Sequence, residues 1–183
     1  MYEKKIEIPE DVQVEVASGT VKVSGAKGTL ERSFKGLFGI KIETSDKKIK
    51  VSAESDIRKS KAVVGSIIAH IKNMFHGVTE GYSAQLKVIY SHFPVTIKVD
   101  DANRQVLIQN FLGEKTPRKA KIIGDDTKVE VKGADIIISG TSIEAVGQSA
   151  ANMEQSTKIR KHDRKVFQDG IYITKKPKGK TLK

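Results

Sequence analysis

The sequence predicts an α+β fold of two duplicated small domains, each a mainly antiparallel sheet with one helix packed on it, plus a basic C-terminal extension. Two observations predict it. Strand-like alternation of apolar residues gives way to helical spacing twice along the chain, and positive charge is concentrated at the C-terminus. A length of 183 residues and a 38% hydrophobic content suit two small packed domains. We expect a first repeat over 1–81, a second over 82–157 and the extension over 158–183.

The first repeat is predicted to contain two hairpins followed by a helix. Alternating valines over 12–23 flank a Ser-Gly turn, and alternating isoleucine and valine over 40–51 flank a second turn. Apolar residues then recur at helical spacing over 57–75. Asp56 is the expected N-cap of this helix, and Gly77 is expected just beyond its end.

The second repeat follows the same plan. Strand-like alternation occurs over 86–90, 95–99, 106–108 and 129–138, with a turn inside the last range. A helix with one apolar face is expected to start at Ser142. That face carries Ile143, Val146, Gly147, Ala150 and Met153.

The two repeats align directly. Residues 41–52 match 128–139 at a constant offset of 87, and Val-Gly-Ser at 64–66 lies over Val-Gly-Gln at 146–148 at an offset of 82. This period is too long for a solenoid unit and occurs only twice, so a duplicated domain fits better. Strands and helices do not alternate, which argues against a doubly wound nucleotide-binding fold.

Composition excludes several classes of site. The absence of cysteine removes disulfides, thiolate zinc sites and cysteine nucleophiles. His70 and His76 are six residues apart and do not share a helical face, while His92 stands alone, so no metal or cofactor is expected. The N-terminus lacks the apolar stretch of a secretion signal, and no apolar run approaches the roughly 20 residues of a membrane span.

Glycine and aspartate motifs do not indicate catalysis. Residues 24–29 (Ser-Gly-Ala-Lys-Gly-Thr) lack the spacing of a phosphate-binding loop, so we interpret them as a turn, as we do residues 36–39. The aspartate pairs at 100–101 and 125–126 lie beside turn-like sequence and are interpreted as solvated turns. We therefore predict no catalytic residue and no enzymatic activity.

The positive charge lies mainly in the last 26 residues. They hold ten basic and two acidic side chains, a net +8 of the total +11, whereas residues 1–80 sum to +3 and 81–157 to zero. A nearly neutral body with a basic end predicts a polyanion-binding segment. The predicted binding residues are Lys158, Arg160, Lys161, His162, Arg164, Lys165, Phe167, Tyr172, Lys175, Lys176, Lys178 and Lys180.

RNA is the polyanion that this segment suits best. Its arginines can grip phosphate with a two-pronged guanidinium, and Phe167 and Tyr172 either stack on unpaired bases or fix the segment to the body. No apolar face opposes the lysines of 174–183, which argues against binding to a membrane surface. DNA stays open, although no helix-turn-helix or zinc-finger spacing occurs.

Two sequence strings carry a family likeness. One is Val-Lys-Val-Ser-Gly-Ala-Lys-Gly-Thr-Leu at 21–30, and the other is His-Asp-Arg-Lys-Val-Phe-Gln-Asp-Gly-Ile-Tyr-Ile at 162–173. Together with the duplicated body, they resemble the L6 family of large-subunit ribosomal proteins. The second string looks like the ending of the archaeal and eukaryotic branch, and the Tyr-Lys-Gly-Lys-Gly type of bacterial ending is absent. The likeness covers nearly the whole chain.

The resemblance implies a non-enzymatic structural component of the large subunit, located on the ribosome in the cytoplasm. It implies binding to large-subunit ribosomal RNA chiefly through the second domain and the tail, near the stalk base and the RNA loop contacted by translation factors. Expected partners are this RNA and neighbouring large-subunit proteins, with no membrane and no obligate homo-oligomer. A non-ribosomal RNA- or DNA-binding module is the alternative. Since both hydrophobic repeats end before residue 158, we also expect that removing 158–183 leaves a folded body.

Overall fold

The two alternating patterns of the sequence fold as two units, one reaching Gly81 and the other beginning at Tyr82. A computed structural model describes residues 2–37, 39–45, 47–160, 163 and 165–177. Five of the predicted binding residues lie outside the described part of the chain: Lys161, His162, Arg164, Lys178 and Lys180.

The first unit contains two antiparallel sheets and one helix. Its elements are β1 (Tyr2–Glu7), β2 (Gln13–Ala17), β3 (Thr20–Gly25), β4 (Gly28–Ser33), β5 (Ile40–Ser45), β6 (Lys48–Ala53) and α1 (Arg58–Thr79). One sheet has the strand order β1-β6-β5 and the other β2-β3-β4. Because α1 packs on β1, β3 and β6, the helix covers strands of both sheets.

The core of the first unit follows from two periodicities. Inward-facing valines and isoleucines of β3 and β6 are fully buried, as expected for alternate positions of a strand. The apolar stripe of α1 lies over them at spacings of three and four residues. Its buried members include Val64, Ile67, Ile71 and Phe75.

The ends of α1 differ from the sequence expectation. Ile57, not Asp56, occupies the N-cap and makes no side-chain capping bond, while Asp56 pairs with Lys61 at 3.1 Å. Gly77 lies inside the helix rather than beyond it, because the buried stripe continues to Val78. The helix ends before Gly81, whose φ of +74° is left-handed and suits glycine.

Residues 24–29 form a hairpin turn between β3 and β4, as predicted, rather than a phosphate-binding loop. The turn packs on the end of α1: the Lys27 N–H donates to the Val78 carbonyl at 2.8 Å. A Cβ at Gly25 would lie 2.8 Å from the Val78 side chain, so only glycine permits this approach.

The second unit repeats this arrangement and adds one strand. Its elements are β7 (Tyr82–Ile89), β8 (Thr96–Asp100), β9 (Gln105–Gln109), a 3-10 turn (Phe111–Gly113), β10 (Arg118–Lys121), β11 (Lys128–Lys132), β12 (Asp135–Gly140), α2 (Ile143–Ser156) and β13 (Gly170–Lys175). Its sheets have the orders β10-β9-β8 and β11-β12-β7-β13. Strands β7 to β12 and α2 therefore occupy the places of β1 to β6 and α1, which confirms the duplicated α+β fold.

The helix α2 begins where the sequence predicts. The Ser142 hydroxyl oxygen accepts from the Ala145 N–H at 3.3 Å and caps the helix. Val146, Ala150 and Met153 are fully buried against β7, β10, β12 and β13. The buried face of α2 thus holds the two sheets of the unit together.

The described part of the extension is built into the second unit. Strand β13 pairs antiparallel with β7, with Ile171 opposite Val88 and Tyr172 opposite Lys87. Ile171 is 1% exposed and belongs to the core. The structural unit therefore extends past residue 157, where the second repeat was expected to end. Ile171, Tyr172 and Ile173 form only one apolar-polar-apolar alternation, but this short strand completes the sheet.

Candidate nucleic-acid interface

The described basic side chains of the extension lie on the surface of the second unit. Lys158, Arg160 and Lys165 are exposed between α2 and β13, and Lys175 and Lys176 are exposed at the end of β13. They share one anchored segment of backbone, so its attachments decide how firmly the charges are presented.

The first attachment lies at the end of α2. The Thr157 hydroxyl donates to the Glu154 carbonyl at 3.1 Å and accepts from the Ile171 N–H at 3.0 Å. Both Thr157 and the nearby Ile159 are buried. This hydroxyl therefore joins the helix end to β13, and the exposed Lys158 lies between two buried residues.

Arg118 of β10 provides a second attachment. Its Nη1 donates to the Ser156 and Lys158 carbonyls at 2.9 and 3.2 Å, which fixes the chain as it leaves α2. Its other nitrogens bind the Glu114 carboxylate at 2.6 and 2.8 Å, and its guanidinium lies 4.4 Å from the centre of the Phe111 ring. Arg118 thus supports the interface as a structural residue.

A third attachment is the buried carboxylate of Asp169, the residue immediately before β13 in the chain. Asp169 is 1% exposed. Its Oδ1 accepts from the Ser91 hydroxyl at 3.1 Å and lies 3.1 Å from His92 Nδ1, while its Oδ2 accepts from the His92 N–H at 3.3 Å. Burial by itself would raise the pKa of Asp169, but the hydrogen bonds from His92 and Ser91 outweigh it and lower the pKa below its usual value.

The two aromatic residues of the segment have different roles. Phe167 is half-buried and its ring stacks on His92, with the ring centres 4.4 Å apart, so it fixes the segment to the unit. Tyr172 is 41% exposed. Its hydroxyl donates to the Gln168 carbonyl at 3.0 Å, which fixes the ring on the surface. Of the two alternatives left open by the sequence, Phe167 fits attachment and Tyr172 remains available for stacking.

Several sheet lysines of the first unit have acidic partners. Lys50 pairs with Glu3 at 2.7 Å and Lys48 with Glu7 at 2.9 Å. The hydrogen bond from Lys50 lowers the pKa of Glu3, and the bond from Lys48 lowers the pKa of Glu7. Among the described residues, no ion pair involves any basic side chain between 158 and 176. In the described part of the extension, Lys158, Arg160, Lys165, Lys175 and Lys176 therefore present positive charge that no described carboxylate pairs with.

The described residues contain no cluster of three or more side chains suited to hold a metal ion. No helix in that part of the chain is both long and apolar enough to cross a membrane.

The family model for ribosomal protein L6 matches the chain twice, over residues 8–81 and 82–170. The chain belongs to the ribosomal protein L6 family. The boundary between the two matches, after residue 81, is also the boundary between the two structural units. Family membership makes the chain a structural ribosomal protein rather than an enzyme, associated with cytoplasmic ribosomes.

Several archaeal L6-family proteins are similar to the chain over most of its length. Each is named large ribosomal subunit protein uL6. The protein of Staphylothermus marinus is 54% identical, covering 94% of this chain and 93% of the relative. That of Sulfurisphaera tokodaii is 52% identical, covering 96% and 92%, and that of Methanosarcina mazei is 47% identical, covering 94% and 96%. These relatives confirm the expected archaeal-type branch.

Sequence reasoning missed three residues that shape the interface of this L6-family chain. Arg118 belongs to a short polar strand without a clear pattern. His92 does not stand alone, since it contacts Phe167 and Asp169. Asp169 precedes a glycine, a pair typical of a turn, but it is buried and Gly170 begins β13. For Asp169, the only signal in the sequence was an acidic residue within a basic stretch of chain.

Proposed function

We propose that the chain binds large-subunit ribosomal RNA through its second unit and the basic segment 158–183. The observation that carries the proposal is the set of exposed, unopposed cations on a segment anchored by Thr157, Arg118 and Asp169. Anchoring lowers the entropic cost of ordering these side chains against phosphates. The name of the relatives, large ribosomal subunit protein, supports placing the chain in that subunit.

Phosphate contacts supply most of the affinity in this proposal. Lysines neutralise phosphates as point charges, and arginines bind them bidentately. The RNA-binding set is the one predicted from the sequence, with Phe167 assigned to attachment. Cations released from the RNA make the affinity depend steeply on salt.

The proposed location is near the stalk base and the region bound by translation factors. The family resemblance supports this location, and neighbouring large-subunit proteins are the proposed protein partners. The chain acts there as one copy, without an obligate homo-oligomer. A crosslinking map on assembled subunits tests the location, and crosslinks confined to RNA elsewhere would contradict it.

The test of RNA binding is a salt titration of the full chain with large-subunit ribosomal RNA. If about six basic side chains contact phosphates, a fourfold rise in salt weakens binding by about 10²–10³-fold. Binding that does not change with salt would exclude this mechanism. Comigration with large subunits after a high-salt wash distinguishes a ribosomal protein from the alternative, a non-ribosomal RNA- or DNA-binding module.

A further inference from the structure

A cavity of about 350 Å³ lies beside β13, between the last turn of α2 and residues 158–159 and 167–172. Its volume falls within the range of small-ligand sites. Strand β13 is the edge of its sheet, yet its outward N–H groups have partners: Ile171 donates to Thr157 Oγ1, and Ile173 donates to Glu154 Oε1 at 3.2 Å. Because α2 covers this edge, the cavity is not a groove for an added strand.

Tyr172 forms a rigid aromatic wall of the cavity. The hydroxyl is bound to the Gln168 carbonyl, and ring atoms lie 3.2 Å from the point where a Cβ on Gly170 would stand. Glycine at 170 thus lets the ring lie close to the strand. An exposed aromatic ring held in place by its hydroxyl bond stacks on a flat partner at a lower entropic cost than a freely rotating ring.

The polar wall of the cavity suits a nucleobase better than a phosphate. Glu154 and Gln155 line it, and the Glu154 carboxylate is fixed by its bond to Ile173. A carboxylate repels phosphate but accepts hydrogen bonds from the N–H groups of a base edge, and an amide both donates and accepts. Lys158 also lines the cavity and provides a cation for the adjoining phosphate.

We propose that this cavity binds a single unpaired nucleobase of large-subunit ribosomal RNA, stacked on Tyr172. The proposal rests on the proposed function, because the base comes from the RNA that the basic segment binds. Recognition of unpaired bases by aromatic stacking and base-edge hydrogen bonds is the usual basis of selective RNA binding.

The test measures binding of the full chain to large-subunit ribosomal RNA for three variants. Tyr172→Leu keeps apolar bulk but lacks the aromatic face, and we expect a fivefold to hundredfold loss of affinity, about the effect of one lost base stack. Tyr172→Phe keeps the ring and should stay within about threefold of wild type. Tyr90→Leu is the matched control, because Tyr90 is 49% exposed on the same unit but does not line the cavity. The salt slope should stay unchanged in all three variants.

Ultraviolet crosslinking of the wild-type complex gives a readout that needs no variant. We expect one nucleotide crosslinked to Tyr172. If wild-type binding depends on salt, but Tyr172→Leu binds as tightly as Tyr90→Leu and no crosslink maps to Tyr172, the cavity proposal is overturned while the proposed function stands. If the wild type does not bind the RNA, both are overturned. Should Tyr172→Leu fail to fold, the crosslink alone decides.

Discussion

The buried carboxylate of Asp169 joins the C-terminal segment to the loop that follows β7. Among the described residues, its polar contacts come from Ser91 and His92, which lie more than seventy positions earlier in the chain. Next to it, Phe167 stacks on the same histidine. A buried acid therefore fixes a segment whose exposed side chains are basic, and loss of that acid should weaken the attachment without removing any predicted RNA contact.

We expect Asp169→Asn to destabilise the second unit by about 1.5–3 kcal/mol, the usual value of hydrogen bonds to a charged group. The amide nitrogen cannot accept, so one donor from Ser91 or His92 loses its partner in either amide orientation. Urea unfolding measures the change. Asp125→Asn, at an exposed turn position, is the control and should stay within about 0.5 kcal/mol of wild type.

The lowered pKa of Asp169 also gives a pH dependence. A carboxyl whose pKa is lower in the folded state contributes stability above its unfolded pKa of about 4, and this contribution is lost as pH falls through the folded pKa. Wild-type stability should therefore fall more steeply below about pH 4 than that of Asp169→Asn. Parallel acid profiles for the two proteins would exclude Asp169 as the titrating group.

At the scale of elements, β13 decides whether the extension is an appendage or part of the second unit. It forms the edge of the four-stranded sheet beside β7 and contributes Ile171 to the core. A chain that ends at Thr157 loses this strand and leaves the β7 edge and part of the core uncovered. This argues against the sequence-based expectation that removal of 158–183 leaves the body intact.

We expect truncation after Thr157 to reduce the hydrogen-exchange protection of the β7 amides that face β13. Ile171→Ala should cost about 2–5 kcal/mol, because it leaves a cavity in a packed core. Val166→Ala is the matched control in the same segment, since Val166 is 61% exposed, and it should change stability by less than about 0.5 kcal/mol. Full protection of β7 in the truncated chain would show that β13 is dispensable.

The sequence predicted those elements in which several apolar residues share one face. Strands with alternating valine or isoleucine and the two helices have such a face. Strands β1 and β10 each bury a single hydrophobic residue, Ile6 or Ala120, so no period marks them. The basic surface was predictable because charge is read directly from residue type. The contacts of Asp169 and Arg118 were not, since they depend on which distant segments the fold brings together.

For the whole molecule, net charge alone does not locate the proposed RNA-binding surface. The first unit carries exposed lysines on the sheet of β1, β5 and β6, but Glu3 and Glu7 oppose them across neighbouring strands. In the described part of the second unit, the basic side chains from 158 to 176 have no acidic partner of this kind. A lysine paired with Glu3 or Glu7 should therefore attract phosphate less strongly than an equally exposed lysine of 158–176, because its charge is already neutralised by the nearby carboxylate.

Two triple variants with the same loss of three positive charges test this difference. The first is Lys158→Gln, Arg160→Gln and Lys165→Gln. The second is Lys5→Gln, Lys48→Gln and Lys50→Gln. With large-subunit ribosomal RNA, we expect the first triple to reduce the slope of log affinity against log salt by about 2–3, since each lost phosphate contact removes about 0.7–0.9.

The second triple should leave the salt slope nearly unchanged, because its lysines are bound to Glu3 and Glu7. Its effect on stability should also be small, since exposed ion pairs contribute little. The comparison separates a local interface from general attraction between a chain of charge +11 and a polyanion. Equal slopes for the two triples would mean that net charge alone governs binding, and the assignment of the interface to the second unit would then be wrong.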